Sequence, residues 1–217
     1  MKTKTHIQYR STKKFLKGGK GVRFPGVTTI VGILAKPALI PWANRLGLEG
    51  IEVGKYVDDK ADIGTLAHAM ITDRLQDKET DTSDYSANQI SQAENAVLSY
   101  FAWEKEREIE PVLIESPLVS EELEFGGTAD IYAIVDNLYE LIDLKTGNGI
   151  WPEHFIQTAA YAHLLEENGH PVDRIRILNI PRAETERFQE CIVPAVDKQF
   201  EVFKHCLAIY KLRKELK

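Results

Sequence analysis

The chain has 217 residues, 43% of them hydrophobic and 28% charged, with a formal net charge of −6; these are values for an ordinary globular protein able to bury a substantial core. No run of about 18 apolar residues occurs and the N-terminus lacks an apolar signal core, so membrane spanning and export are disfavoured and the cytoplasm is the expected compartment. Cys191 and Cys206 are too few for a disulfide framework or for a four-thiolate metal or iron–sulfur site, and are expected as packed, reduced thiols.

The negative balance argues against indiscriminate binding of polyanions, but the charge is unevenly spread. Residues 1–24 hold Lys2, Lys4, Arg10, Lys13, Lys14, Lys17, Lys20 and Arg23 and no Asp or Glu. This basic N-terminal arm is either a solvated tail or a phosphate-contacting segment that gains from counterion release. Gly18-Gly19-Lys20-Gly21 breaks regular structure, and Phe24-Pro25-Gly26 opens a domain expected to run from 25 to 217. Thr28 or Thr29 is placed to cap a short helix. Pro37 and Pro41 punctuate the stretch before Trp42. From about 62 to 75 the pattern is helical, with Leu66, Ala67, Met70, Ile71 and Leu75 on one arc and His68 at its edge. Ser86-Ala87-Asn88-Gln89 reads as a capping box for a helix carrying Ile90, Ala93, Val97, Leu98 and Phe101 and ending by Pro111.

Val112-Leu113-Ile114-Glu115 and Pro117-Leu118-Val119 form a strand that feeds a hairpin. Val135 and Leu138 flank Asp136-Asn137, a dipeptide that tolerates positive φ, which predicts a two-residue turn. That register sets Asp130 opposite Asp143, and alternation puts Asp130, Tyr132, Leu141, Asp143 and Lys145 on one face. Pro152 suits the first turn of a helix to about 167, stopped by Asn168-Gly169. A strand at 174–180 and a terminal amphipathic helix from about 195, with Phe200, Phe203, Leu207 and Tyr210 on its apolar side, complete the order. The fold class expected is α/β, a mixed sheet flanked by helices. No glycine-rich phosphate loop follows any strand.

Opposed carboxylates destabilise a sheet unless a cation lies between them, and hard ions such as Mg²⁺ accept one or two carboxylates plus water and a substrate phosphate. Asp143-Leu144-Lys145 adds an ammonium on the same face, suited to steering or deprotonating a water or to stabilising phosphate charge; the Leu144 carbonyl can add a ligand. Alone, an Asp-x-Lys tripeptide is usually a surface ion pair. Gln157 and Tyr161 share a helix face and can both donate hydrogen bonds; standing alone, Tyr161 reads equally well as core and Gln157 as solvated. A single helical His such as His68 is more often structural.

Together, Gly64-x-x-x-His68, Gly127-x-x-Asp130, Asp143-x-Lys145 and Gln157-x-x-x-Tyr161, in this order, resemble the motifs of the RecB-like branch of the PD-(D/E)xK nuclease superfamily. The resemblance covers residues 64–161 and extends more softly to the segment from Val27 to Ala43, which is similar to phage-type exonucleases. It implies a restriction-endonuclease-like fold and a Mg²⁺- or Mn²⁺-dependent deoxyribonuclease, an exonuclease of recombination, repair or phage DNA processing in a bacterial host or a phage. By the same likeness His68, Asp130, Asp143 and the Leu144 carbonyl hold the metal, Lys145 is the catalytic lysine, and Gln157 and Tyr161 position the DNA or the site. Glu115 stands where many relatives carry a glutamate and is a candidate for supporting the ligands. Trp42 could stack on a base at a DNA end, worth about 1–3 kcal/mol, but such a Trp more often belongs to the core, which is the expectation here. The cysteine ring that holds an iron–sulfur cluster in some relatives is absent, and no helicase motif is present, so a helicase, a single-strand-binding protein or an annealing protein is the expected partner besides DNA. Two rival readings are a catalytically silent nucleic-acid-binding accessory protein and a metal hydrolase for a small phosphorylated substrate.

Overall fold

The computed structural model describes residues 7–216; Lys2 and Lys4 of the basic arm lie outside them. In chain order the elements are β1 (Arg10–Phe15), β2 (Gly21–Arg23), α1 (Val27–Val31), α2 (Leu39–Leu48), α3 (Val53–Arg74), α4 (Ala87–Glu104), β3 (Ile109–Ser120), β4 (Phe125–Val135), β5 (Leu138–Thr146), α5 (Pro152–Glu167), β6 (Arg174–Ile180), β7 (Gln189–Val193) and α6 (Asp197–Glu215). Strands β3 to β7 form one sheet in sequence order. Only the β5–β6 pair is parallel, because α5 crosses over between those two strands while helix-free connections join the others.

This is the expected mixed α/β core flanked by helices. One sheet face, with Tyr132, Leu141 and Ile177, packs against α1, α5 and α6 through Ile30, Leu164 and Phe203. The opposite face, with Ile131, Ile142, Leu144 and Leu178, packs against α3 and α4 through Ile63, Leu66, Ala96 and Tyr100. The β4–β5 turn is the one expected: Val135 pairs with Leu138, and Asp136 and Asn137 take φ of 48° and 68°. Pro152 starts α5, and Gly169, at φ 85°, follows its Asn168 cap. The Ser86–Gln89 capping box is formed. Cys191 and Cys206 are both free thiols.

Several expectations are corrected. Gly26, not a threonine, precedes the first turn of α1, so Thr28 and Thr29 lie inside that helix. Helix α3 begins at Val53, well before residue 62. Leu98 is 63% exposed, the inner face of α4 being Ala93, Ala96, Val97, Tyr100 and Trp103. Pro111 does not end α4 but lies within β3, an edge strand whose outer side needs no N–H donor. Strand β7 has no counterpart in the sequence reading.

From Arg10 onward the basic segment forms a hairpin tied to the body of the fold, with residues 12–20 exposed to solvent. The Tyr9 hydroxyl lies 3.0 Å from Thr128 Oγ1, Ser11 Oγ donates to Glu121 at 2.6 Å, and Lys14 pairs with Glu124. The Gly126 N–H donates to the Pro25 carbonyl at 2.9 Å, an approach that only a residue without a Cβ permits, since Tyr9 Cβ would stand 2.4 Å from one. No helix among the described residues is long and apolar enough to cross a membrane.

Candidate active site

The β4–β5 ladder runs from Val135–Leu138 to Ile131–Ile142. The next positions in that register are Asp130 and Asp143, where the ladder stops. Asp130 Oδ2 instead accepts the Leu144 N–H at 2.7 Å, so a side chain takes over the role of the backbone partner at the mouth of the hairpin. His68 Nδ1 lies 3.7 Å from Asp130 Oδ1, an ion-pair separation too long for a hydrogen bond. Burial alone would raise the Asp130 carboxyl, yet His68, Lys145 and the Leu144 N–H hold it below its ordinary range. His68 responds in the opposite sense: burial disfavours its cation, but Asp130 wins and raises its pKa.

Asp143 is 1% exposed. Neither of its oxygens is engaged in a hydrogen bond, although Lys145 Nζ stands 2.6 Å from Oδ2, close in charge but outside hydrogen-bonding geometry. Burial pushes this carboxyl up to about 6, with Lys145 opposing and Asp130 adding to the rise. A cavity of about 390 Å³ opens beside the pair, walled by His68, Leu144 and Lys145 together with Lys60, Gly64, Thr146 and Arg182. The aspartates do not line it themselves. Asp130 meets it through His68 and Asp143 through Lys145.

Two glycines make this convergence sterically feasible. A Cβ on Gly64 would stand 2.5 Å from Thr146 Oγ1, so glycine lets α3 approach the end of β5 and brings His68, one turn later, over Asp130. A Cβ on Gly127 would meet Tyr161 at 2.7 Å and Leu164 and Val27 at 2.9 Å, so glycine there seats α5 on β4. The spacing Gly-x-x-x-His thus has a packing reason, and so does Gly-x-x-Asp.

Gln157 Nε2 donates to the Tyr161 hydroxyl at 2.8 Å. Tyr161 is buried in the α5 core; burial and then the Asp143 charge raise its hydroxyl well above the usual range, so it sits within the field of the carboxylates as a neutral group. Glu115, exposed, at φ 42°, falls opposite Asp130 between the pairs Ile114–Ile131 and Ser116–Ala129. Partial burial and then Asp130 raise its carboxyl. Trp42 is half-buried and edge-on to Tyr56, with ring centroids 6.2 Å apart.

Lys60, Thr146, Arg182 and His154 were absent from the sequence reading of the site. Arg182 is clamped by Glu186, with Nε 3.2 Å from both carboxylate oxygens. His154 is pushed down to about 4, first by burial and then by the Lys145 charge, and its Nδ1 accepts the Trp151 N–H at 3.2 Å. Spacing on α5 carries a signal for His154, three residues before Gln157; Lys60 and Arg182 depend on long-range packing and carry none.

Among the described residues no three His, Cys, Asp or Glu side chains close into an ion cage. The donor set nevertheless fits a hard divalent cation: Asp143 offers two buried oxygens without a hydrogen bond, and such ions complete their shell with water and substrate phosphate.

No protein-family model matches the chain, and no curated protein matches it. Solved structures do match. A putative exonuclease from Eubacterium rectale superposes with a TM-score of 0.47 at 13% identity, covering 70% of this chain and 65% of that one. LHK-Exo in complex with dAMP gives 0.40 at 12%, covering 69% and 78%, and SSO0001 gives 0.33 at 18%, covering 58% and 64%. The chain thus spans a little under two thirds of the length of the first and last of these.

Proposed function

We propose that the chain is a Mg²⁺- or Mn²⁺-dependent deoxyribonuclease of the RecB-like PD-(D/E)xK type, an exonuclease serving recombination, repair or phage DNA processing. The observation that carries this reading is the buried Asp143 carboxylate, free of hydrogen bonds, with Lys145 on one side and Asp130 in register across the hairpin. A fold without a ligand to satisfy gains nothing from such a group, because burying a carboxylate is costly and the Lys145 ion pair does not offset that cost, the carboxyl staying pushed up to about 6.

His68, Asp130 and Asp143, with the Leu144 carbonyl, would hold the cation. When bound, it favours a nucleophile near neutral pH and stabilises charge on the phosphate oxygens. Asp130 orients His68 and, through the Leu144 N–H, fixes the backbone between Asp143 and Lys145 on β5. Lys145 projects into the cavity and places its ammonium against a non-bridging phosphate oxygen as negative charge grows there. Water attacks phosphorus, the bond to one ester oxygen breaks, and the products are a phosphate monoester and a free hydroxyl. Gln157 and Tyr161 hold the α5 side of the site in place. A helicase, a single-strand-binding protein or an annealing protein would present the DNA.

Purified full chain with Mg²⁺ or Mn²⁺ is expected to release label from end-labelled linear DNA while sparing a closed circle, and Asp143→Ala and Lys145→Ala are each expected to lose on the order of a hundredfold or more in rate. Linear DNA left intact by the parent, or cut as well by the variants, would overturn the reading.

A further inference from the structure

We propose that an aromatic recess adjoining the candidate cavity receives an unpaired nucleobase of single-stranded DNA, so that the strand enters the site unpaired. The inference rests on the nuclease reading and deepens it by naming the substrate form.

The recess has a volume of about 660 Å³ and lies between α2, the first turns of α3 and the start of α5, within the range of small-molecule and cofactor pockets. Three large aromatic side chains reach it, Trp42, Tyr56 and Trp151, beside the His154 imidazole. They differ from the aromatic residues of the core. Tyr100, Phe125 and Tyr132 are almost fully buried, whereas Trp151 is 53% and Tyr56 39% exposed. Neither local need nor packing accounts for Trp151. It stands at the cap of α5, where short polar residues serve best, and its indole is left largely to solvent.

Charge is arranged around these rings in the way a nucleic-acid strand requires. Lys60 borders both the recess and the candidate cavity, so the two spaces share a wall. Its ammonium lies 5.8 Å from the Tyr56 ring centre and donates to the neutral Gln92 at 2.9 Å. Among the described residues it makes no direct ion pair, although Glu186 lies within its field, and so can meet a phosphate at the junction, whereas Arg182, which borders both spaces as well, is clamped directly by Glu186. Across the recess Lys36 pairs with Glu153 at 2.5 Å and ties the segment before α2 to α5.

A ring face flanked by a cation that tracks the backbone is how single strands are bound without sequence preference. A paired base inside a duplex has both faces stacked on its neighbours and cannot offer one to the recess without leaving the stack. With a base among Trp42, Tyr56 and Trp151 and a phosphate at Lys60, the next stretch of backbone runs toward His68 and Lys145.

The test uses the full chain in EDTA with a short single-stranded oligodeoxynucleotide carrying 2-aminopurine, whose fluorescence falls when the base stacks. The parent and Asp143→Ala are expected to quench it alike. Trp151→Ala and Tyr56→Ala, both exposed and hence harmless to the core, are expected to weaken binding roughly tenfold, and Trp151→Phe to restore most of it. With metal present the same alanine variants should raise KM on single strands and leave kcat nearly unchanged. Absence of quenching by a parent that cuts DNA would overturn the inference and leave the nuclease reading standing. Quenching by a parent that never cuts would support the recess and sink the nuclease reading. Equal binding by parent, Trp151→Ala and Tyr56→Ala would overturn the inference.

Discussion

Gly64 and Thr146 touch across the α3–β5 contact so closely that a Cβ at residue 64 would stand 2.5 Å from Thr146 Oγ1. Helix propensity alone favours alanine at an interior helical glycine by about 0.5–1 kcal/mol. Overpacking costs about 1–3 kcal/mol, and the crowded atom belongs to a stiff β-branched side chain. Gly64→Ala is therefore expected to lower the melting temperature and, by pushing α3 off β5, to move His68 away from Asp130 and slow cleavage. Adding Thr146→Ala removes Oγ1 and leaves the next atom, Cβ, at an ordinary 3.7 Å, so the double variant should regain the stability of the parent or exceed it. A single Gly64→Ala variant as stable as the parent would show that the contact does not constrain the helix.

Metal removal separates the role of Asp143 in binding from any role in folding. If its two oxygens serve a cation, Mg²⁺ or Mn²⁺ stabilises the folded chain by mass action, about 2.7 kcal/mol at a hundredfold excess over Kd. Thermal unfolding of the parent should shift upward with added metal and return with EDTA. In Asp143→Ala that shift should vanish, and in EDTA this variant should melt no lower than the parent, because burial and the Asp130 charge outweigh the Lys145 ion pair and leave the carboxylate disfavoured in the fold. An undiminished metal-induced shift in Asp143→Ala would remove Asp143 from the ligand set.

The parts legible in the sequence are those set by local chemistry. Asp136-Asn137 fixes the turn because both residues tolerate positive φ, and the turn then fixes the register that carries Asp130 and Asp143. Pro152 and Asn168-Gly169 bound α5 for equally local reasons. Strand β7 escaped because it is five residues on a sheet edge with only Val193 buried, too short to establish a period. The early turns of α3 escaped because residues 53–61 carry no buried side chain; their helicity continues from the anchored half that begins at Ile63. Leu98 was misassigned because Ala96, Tyr100 and Trp103 define a stripe that passes beside it. Lys60 and Arg182 join the site only when α3 crosses β5 and the chain after β6 folds back, relations no window along the chain contains.

His154 gives the pH dependence a definite sign. Its folded-state pKa, about 4, lies below the ordinary 6.5, so between those values the unfolded chain takes up a proton that the folded chain refuses. Stability is then full above about 6.5, falls as the pH drops toward 4, and levels off below. The whole shift corresponds to at most about 3 kcal/mol at 1.36 kcal/mol per unit, and less after solvent screening of a ring that is only partly buried. His154→Asn, which keeps an acceptor for the Trp151 N–H, should flatten that limb in melting curves recorded from pH 7 to 4. An identical slope in parent and variant would assign the limb to other groups.

The pair Glu140 and Arg176 offers the largest expected loss of stability away from the site. Glu140 is 0% and Arg176 3% exposed, and Arg176 Nη2 donates to Glu140 Oε2 at 3.1 Å, while Nε also engages the carboxylate. On its other side Arg176 meets Glu190, whose carboxylate also accepts the Trp103 indole N–H at 2.9 Å. Removing one member of a buried pair strands the other charge in a medium that cannot solvate it, at a cost of about 3–5 kcal/mol, whereas replacing both by apolar residues is often neutral. Glu140→Ala should therefore shift the urea midpoint sharply downward. Glu140→Leu combined with Arg176→Met should recover most of the loss, short of full recovery because Glu190 then loses a partner too. A Glu140→Ala unfolding free energy within about 0.5 kcal/mol of the parent, the range of ordinary surface substitutions, would mean that water or Arg174, 3.7 Å from Glu140, already screens the pair.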